Sequence, residues 1–228
     1  MPENILQSMF NNLDASNFKG SVPFYDANFE NIMHKISVCY SMIVDSKIPL
    51  PKDENLIRDV LVNDYLNNNL IKEKLKLNYF FNPEVPEKNI KRPDIKIQSP
   101  NHVYKTEAYY SIECKVLDNK YVTGTSGLNA KYIKNGIRRF TDKEYTSYFR
   151  VNGMIGFIVE EMDIHQNTNN INSLLKSSVG QIKTTKPLTN EKYFDDFEYH
   201  YSSTHEDVDN NGLRIYHLML NVSGNIQR

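Results

Sequence analysis

The sequence predicts an α/β domain, a mixed sheet flanked by helices, and three observations predict it. Two runs, 95–98 and 109–116, alternate by side-chain type. Ile95 and Ile97 are set against Lys96 and Gln98; Tyr110, Ile112, Cys114 and Val116 are set against Ser111, Glu113 and Lys115. That period of two belongs to strands with unlike faces. The run 154–159 is apolar throughout, as in a strand buried on both faces, and so reads as the central parallel member of the sheet. Between these runs lie stretches with apolar residues at spacings of three and four, the helices that a parallel crossover needs.

In chain order, residues 1–27 carry Pro2, Gly20 and Pro23 with weak periodicity and read as an irregular arm. Phe29, Ile32, Met33, Ile36, Cys39, Tyr40 and Ile43 recur at helical spacing over 28–47, and Pro49 and Pro51 end that helix. Asp53 is an N-cap for a helix to about residue 69, with Leu56, Ile57, Val60, Leu61, Tyr65 and Leu66 as its apolar stripe. Glu54 borders that stripe, and a first-turn Glu is also favoured by the helix dipole. A strand is expected over 76–81, ending at Asn82-Pro83, then a loop over 84–91. The two alternating strands follow, joined as a hairpin through Ser99-Pro100-Asn101-His102.

The stretch 118–127 is polar and glycine-containing, a loop. Tyr132, Ile133, Gly136, Ile137 and Phe140 form the buried stripe of the next helix, with Lys131, Lys134, Arg138 and Lys143 around its flank and Arg139 at its border. A further helix is expected over 167–186, closed by Pro187, and late strands over 197–203 and 213–220. Tyr201-Ser202-Ser203-Thr204-His205 could offer hydroxyl and imidazole contacts to phosphate or base, although a satisfied structural His205 is the plainer expectation. Residues 207–212 read as an acidic, Asn-rich turn.

Composition bounds the function. With 228 residues, 39% hydrophobic and 24% charged, 15 Tyr and 11 Phe, the chain suits one folded domain: an N-terminal extension over 1–50, a core over 51–160, and a C-terminal helix and strands over 161–228. No apolar run reaches membrane length and the N-terminus lacks a basic-then-apolar signal, so a cytoplasmic protein with no membrane partner is expected. Cys39 and Cys114 have no metal-like spacing and read as core thiols. Six scattered His without H-x-H or HExxH argue against a zinc hydrolase. The net charge is -1, so phosphate affinity requires a local patch or a partner. From 115 to 150 there are eight Lys or Arg against three Asp or Glu, the best candidate for such a patch.

The chemistry concentrates in Arg92-Pro93-Asp94-Ile95 and Glu113-Cys114-Lys115. Glu113 and Lys115 project from one strand face, and hairpin pairing brings Asp94 beside them. Two carboxylates in a partly dry site repel unless a cation sits between them, and Mg²⁺ takes carboxylate and carbonyl oxygens.

Pro93-Asp94 followed by Glu113-Cys114-Lys115 resembles the motif of the PD-(D/E)XK (restriction endonuclease-like) nuclease superfamily. Tyr132-x-x-x-Gly136-Ile137-x-Arg139-Phe140, then Tyr145 and Gly153-Met154-Ile155-Gly156-Phe157, resembles a pattern of its bacterial restriction and defence-type members. The resemblance implies an αβββαβ core in a single domain. It implies a Mg²⁺-dependent endonuclease acting on DNA, with Mn²⁺ able to substitute. Asp94, Glu113 and the backbone carbonyl of Cys114 would hold the metal, Lys115 would position water, and Glu54 would assist. Tyr132 and Arg139 would face the site or substrate, while Lys134, Arg138 and Lys143 would hold the nucleic-acid backbone. A homodimer and an ATPase or sensor subunit are expected partners. A non-catalytic nucleic-acid- or protein-binding subunit on the same fold, and a metal-dependent RNA or nucleotide phosphohydrolase, are the alternatives.

Overall fold

The computed structural model describes residues 21–83, 92–99, 109–145, 150–177 and 179–227, without the side chains of 21–24. Helix α1 is Ser21–Ser46. Helix α2, Glu54–Asp59, runs on into a π-helical stretch, Val60–Leu66, and α3 is Asn69–Leu75. Strands β1 (Phe80–Pro83), β2 (Ile95–Gln98) and β3 (Tyr110–Leu117) follow. Helix α4 (Leu128–Tyr132) continues through a π-helical stretch, Ile133–Ile137, into α5 (Arg138–Thr141). Then come β4 (Val151–Ile158), α6 (Ile164–Lys176), β5 (Lys183–Thr189), β6 (His200–Glu206) and β7 (Gly212–Asn221). Among the described residues, no helix is long and apolar enough to cross a membrane.

The seven strands form one sheet in the order β1-β2-β3-β4-β7-β6-β5. β4 is parallel to both neighbours and every other pairing is antiparallel. All eight residues of β4 are buried, as expected of a central strand covered on both faces. Alternate residues feed two cores. Ile155 and Phe157 join Ile112, Leu218 and Leu220 under α1 and α2, whereas Met154 and Ile158 join Ile215 and Met219 under α4, α5 and α6. Gly153 permits the close approach of α1, since a Cβ there would lie 2.8 Å from Ile112 and 2.9 Å from Phe29.

Several expectations stand corrected. Helix α1 begins at Ser21, so 21–27 belong to it; residues 1–20 lie outside the described residues. Asp53 does cap α2, accepting from the amides of Asn55 and Leu56, but Leu56 in the first turn is 51% exposed rather than part of the stripe. The strand expected over 76–81 is displaced by α3. Asn68 caps α3 through the amides of Leu70 and Ile71, and Lys76 ends it in the left-handed region. Burial does alternate there, with Leu77 and Phe81 inside and Asn78 and Phe80 outside, yet only Phe80–Pro83 finds a partner strand.

The helix expected over 167–186 stops at Lys176, because Gly180 (φ 83°) and Gln181 (φ 56°) turn the chain back into β5. Pro187 is tolerated since β5 is a sheet-edge strand whose register shifts between Lys186 and Thr189. β6 starts at His200, three residues later than expected. The β2–β3 hairpin pairing is observed, Ile95 opposite Ile112, although most of its turn, like the loop over 84–91, lies outside the described residues.

Candidate active site

Strand β3 outruns β2. Its pairing with β2 covers Tyr110, Ser111 and Ile112, while its pairing with β4 continues to Leu117. Past Ile112 the β2-side edge therefore has backbone groups that no strand takes, and such groups need partners. Two carboxylates supply them. The Cys114 amide donates to Asp94 Oδ2 at 2.7 Å, and the Val116 amide donates to Glu54 Oε2 at 2.8 Å. The Cys114 carbonyl, on the same edge, accepts from Lys115 Nζ at 2.5 Å. Asp94 reaches this edge because it immediately precedes β2; Glu54 does so because Asp53 starts α2 there.

Glu113 is fully buried. Its Oε1 accepts from Arg139 at 2.6 Å and lies 2.8 Å from Lys115 Nζ, and its Oε2 accepts from the Tyr145 hydroxyl at 2.6 Å. Arg139 also donates to the Tyr145 oxygen at 2.6 Å. Burial pushes the Glu113 carboxyl up to about 7, assisted by the Asp94 charge and opposed by Lys115 and Arg139. Lys115 Nζ gathers the cluster: Glu54 Oε1 lies at 2.9 Å and Asp94 Oδ2 at 3.7 Å. Burial pulls its pKa down, but Glu113, Asp94 and Glu54 outweigh this and hold it above the ordinary lysine range. The rim is open, with Glu54 31% and Arg139 28% exposed, whereas Asp94 and Lys115 are 13% and 12% exposed.

Asp94, Glu113, Lys115, Glu54 and Arg139 are thus brought together, as the sequence suggested. Two participants had no assigned role there. Arg58, one turn beyond Glu54 on α2, puts Nη1 3.6 Å from Asp94 Oδ1 while it grips Asp59. Its spacing of four from Glu54 was the available signal. Tyr145 stood only within a resemblance pattern, and its hold on Glu113 spans 32 positions. Among the described residues, no group of three or more His, Cys, Asp or Glu side chains is arranged to hold a metal. The carboxylates here surround an ammonium.

The proposed backbone-binding set divides. Lys134 and Arg138 stand exposed beside Thr125, Ser177, Gly180 and Gln181 around an open cavity of about 390 Å³. Lys134 donates to the Thr125 carbonyl, and Arg138 pairs with Asp142 at 2.8 Å. Lys143 pairs with Asp209. Arg139 turns inward to Glu113. Tyr132 is a correction: it is fully buried, and its hydroxyl meets His217 Nδ1 at 2.8 Å, so it faces neither solvent nor a substrate surface.

His217 opens a second buried cluster. Ser203 Oγ lies 2.7 Å from both His217 Nε2 and His205 Nε2, and His205 Nδ1 lies 3.0 Å from Thr184 Oγ1. One direction of donation satisfies all of it. Buried Tyr132 must donate to His217, so His217 donates to Ser203, Ser203 to His205 and His205 to the half-buried Thr184, whose own hydroxyl can face water. The contacts that Ser202, Ser203 and His205 might have offered a phosphate are therefore withdrawn into the interior. Burial lowers the His205 pKa to about 4 and holds that of His217 well below the ordinary imidazole value. No protein-family model matches this chain, and neither curated proteins nor solved structures include a match.

Proposed function

We propose that the chain is a metal-dependent nuclease that hydrolyses DNA phosphodiester bonds. The observation that carries this reading is the convergence of Glu54, Asp94, Glu113, Lys115 and the Cys114 carbonyl where β3 outruns β2. Its setting supports the same reading: α2, three strands, the α4–α5 helix and β4, with α3 inserted after α2, follow in the order of a restriction endonuclease-like core. On this view α1 is an extension, and α6 with β5 to β7 are additions.

The donor set fits a hard divalent cation. It consists of carboxylate and carbonyl oxygens, and five carboxylates (Glu54, Asp59, Asp94, Glu113, Glu144) meet only three cations (Arg58, Lys115, Arg139). Asp94, Glu113 and the Cys114 carbonyl would hold Mg²⁺, or Mn²⁺ in its place. When bound, the ion would supply Lewis-acid stabilisation of charge on the phosphate oxygens. Arg139 and Tyr145 fix the Glu113 carboxylate between them. Lys115 orients the attacking water, Glu54 assists by holding Lys115 and the Val116 amide, and Lys134 and Arg138 receive backbone phosphates. A restriction or defence role, a homodimer and an ATPase or sensor subunit belong to this proposal through the motif resemblance alone.

Supercoiled and linear DNA, incubated with Mg²⁺, Mn²⁺ or EDTA, tests the reading. Divalent-dependent cleavage that disappears in Lys115→Ala and Asp94→Ala is expected; cleavage unchanged in both removes the site assignment. One observation favours a second reading, a non-catalytic nucleic-acid- or protein-binding subunit: Asp94, Glu54 and Glu113 each already have a hydrogen-bonded protein partner, as in a structural ion cluster. Tight DNA binding indifferent to metal and to Glu113→Gln would mark that case. Competition by RNA or nucleotides would separate a phosphohydrolase of other substrates.

A further inference from the structure

Each carboxylate of the cluster is held by two kinds of contact. One kind is fixed in the fold. Tyr145 donates to Glu113 Oε2, the Cys114 amide to Asp94 Oδ2, and the Val116 amide to Glu54 Oε2. None of these three donors is a flexible cationic chain, and none depends on Lys115 for its position: two are backbone amides of β3, and Tyr145 is buried beside Phe140. The other kind is cationic: Arg139 takes Glu113 Oε1 at 2.6 Å and Arg58 Nη1 lies 3.6 Å from Asp94 Oδ1, but one group alone reaches all three carboxylates. Lys115 Nζ takes Glu113 Oε1 at 2.8 Å, Glu54 Oε1 at 2.9 Å and the Cys114 carbonyl at 2.5 Å, with Asp94 Oδ2 at 3.7 Å. Fixed donors thus position the oxygens, and Lys115 fills the space common to all three carboxylates, while Arg139 and Arg58 each reach one of them.

We infer that the Lys115 ammonium is the resident cation of this oxygen cage, and that Lys115 must withdraw from it before a divalent cation can bind. This rests on the metal-dependent reading above and adds to it a built-in competition. An ammonium and a divalent cation cannot share oxygens less than 3 Å away, because their repulsion in a partly desolvated site is several times larger than in water. The cage survives removal of the ammonium, because its fixed donors stay. Lys115 therefore acts on ion binding with the opposite sign to a ligand. Removing it favours the ion, and removing Asp94 disfavours it. The same side chain is needed for cleavage, so affinity for the ion and activity part company.

The test is calorimetric titration of Mn²⁺ into the full chain and into Lys115→Met, Lys115→Gln and Asp94→Asn, at one pH and ionic strength. Both Lys115 variants are expected to bind Mn²⁺ at least about tenfold more tightly than the wild type, and Asp94→Asn more weakly, while cleavage falls in all three. Lys115→Gln keeps an amide able to bond Glu54 and the Cys114 carbonyl, which guards against collapse of the cage. The wild type carries an independent readout: with lysine-selective ¹⁵N labelling, the Lys115 ammonium signal is expected to move on titration with Mg²⁺. Equal or weaker Mn²⁺ binding by both Lys115 variants, or an ammonium signal unmoved at Mg²⁺ saturation, overturns the inference and leaves the metal-dependent reading standing. Absence of ion binding in every protein overturns both.

Discussion

Glu113 on β3 and His217 on β7 lie on the same face of the sheet, each directly across from Met154 of β4, so one methionine separates two buried polar clusters. They are satisfied in opposite ways. Around Glu113 the partners are Lys115, Arg139 and Tyr145, and the rim reaches solvent. Around His217 they are Tyr132, Ser203 and, through Ser203, His205, all fully buried. A charge deep in the interior costs far more than a neutral hydrogen-bonding group, so the enclosed cluster links uncharged side chains by hydrogen bonds and the rim cluster gathers ions. The consequence is functional. Ions near solvent can exchange partners, whereas a closed neutral chain can only be kept or broken. Under the proposed function, activity would reside in the first cluster and stability in the second.

The largest expected contrast is in cleavage. Lys115→Ala or Asp94→Ala should lower divalent-dependent nicking by ~10²–10⁴-fold with the circular dichroism spectrum preserved, and nicking within a factor of two of wild type would dissolve the distinction. His217→Ala should do the reverse, costing about 2–4 kcal/mol in urea unfolding through a cavity and two stranded hydroxyls, without abolishing nicking below its unfolding midpoint. A cost under half that range would mean that the chain of hydrogen bonds is not a stability element.

Tyr145→Phe probes the first cluster from its buried side. It removes one hydrogen bond to Glu113 and should reduce nicking ~10-fold with little change in melting. Tyr132→Phe should cost about 1 kcal/mol and leave DNA affinity unaltered; weakened DNA binding would restore the surface role that its burial denies it. A further contrast is in pH dependence. Folded His205 is held at about 4 against its ordinary 6.5, because burial penalises the imidazolium. The unfolded chain therefore binds more protons between those values. The His205 contribution should be full above pH 6.5 and be lost as the pH drops toward 4, and it is read as the difference between wild type and His205→Asn, because the raised Glu113 carboxyl acts with the opposite sign over the same window. Parallel melting curves for the two proteins over that window would count against the neutral-chain account.

Much of the site was legible because strand geometry is local. Alternation alone puts Glu113 and Lys115 on one face, hairpin pairing adds Asp94, and the Asp53 cap places Glu54 at the start of its helix. The buried stripe of Ile133, Gly136, Ile137 and Phe140 and the wholly buried β4 were legible for the same reason. The misread stretches are those where two local signals compete. Val179 and Ile182 keep helical spacing beyond the helix end at Lys176 and across Gly180, which reverses the chain, and alternation over 75–81 ignores a helix cap at Asn68.

By itself, then, the order of residues determined which side chains share a strand or helix face and where the central strand runs, since those follow from periods of 2 and 3.6 residues. Folding alone decided that β3 would extend beyond β2, and hence that Asp94 and Glu54 would serve its unpaired edge and enclose Lys115. It alone decided that Tyr145 and Arg58 would join the carboxylates, and that Tyr132 and His205 would be locked inside. Those outcomes depend on contacts between residues up to 85 positions apart, and a sequence read locally has no term for which distant donor will find a stranded backbone group.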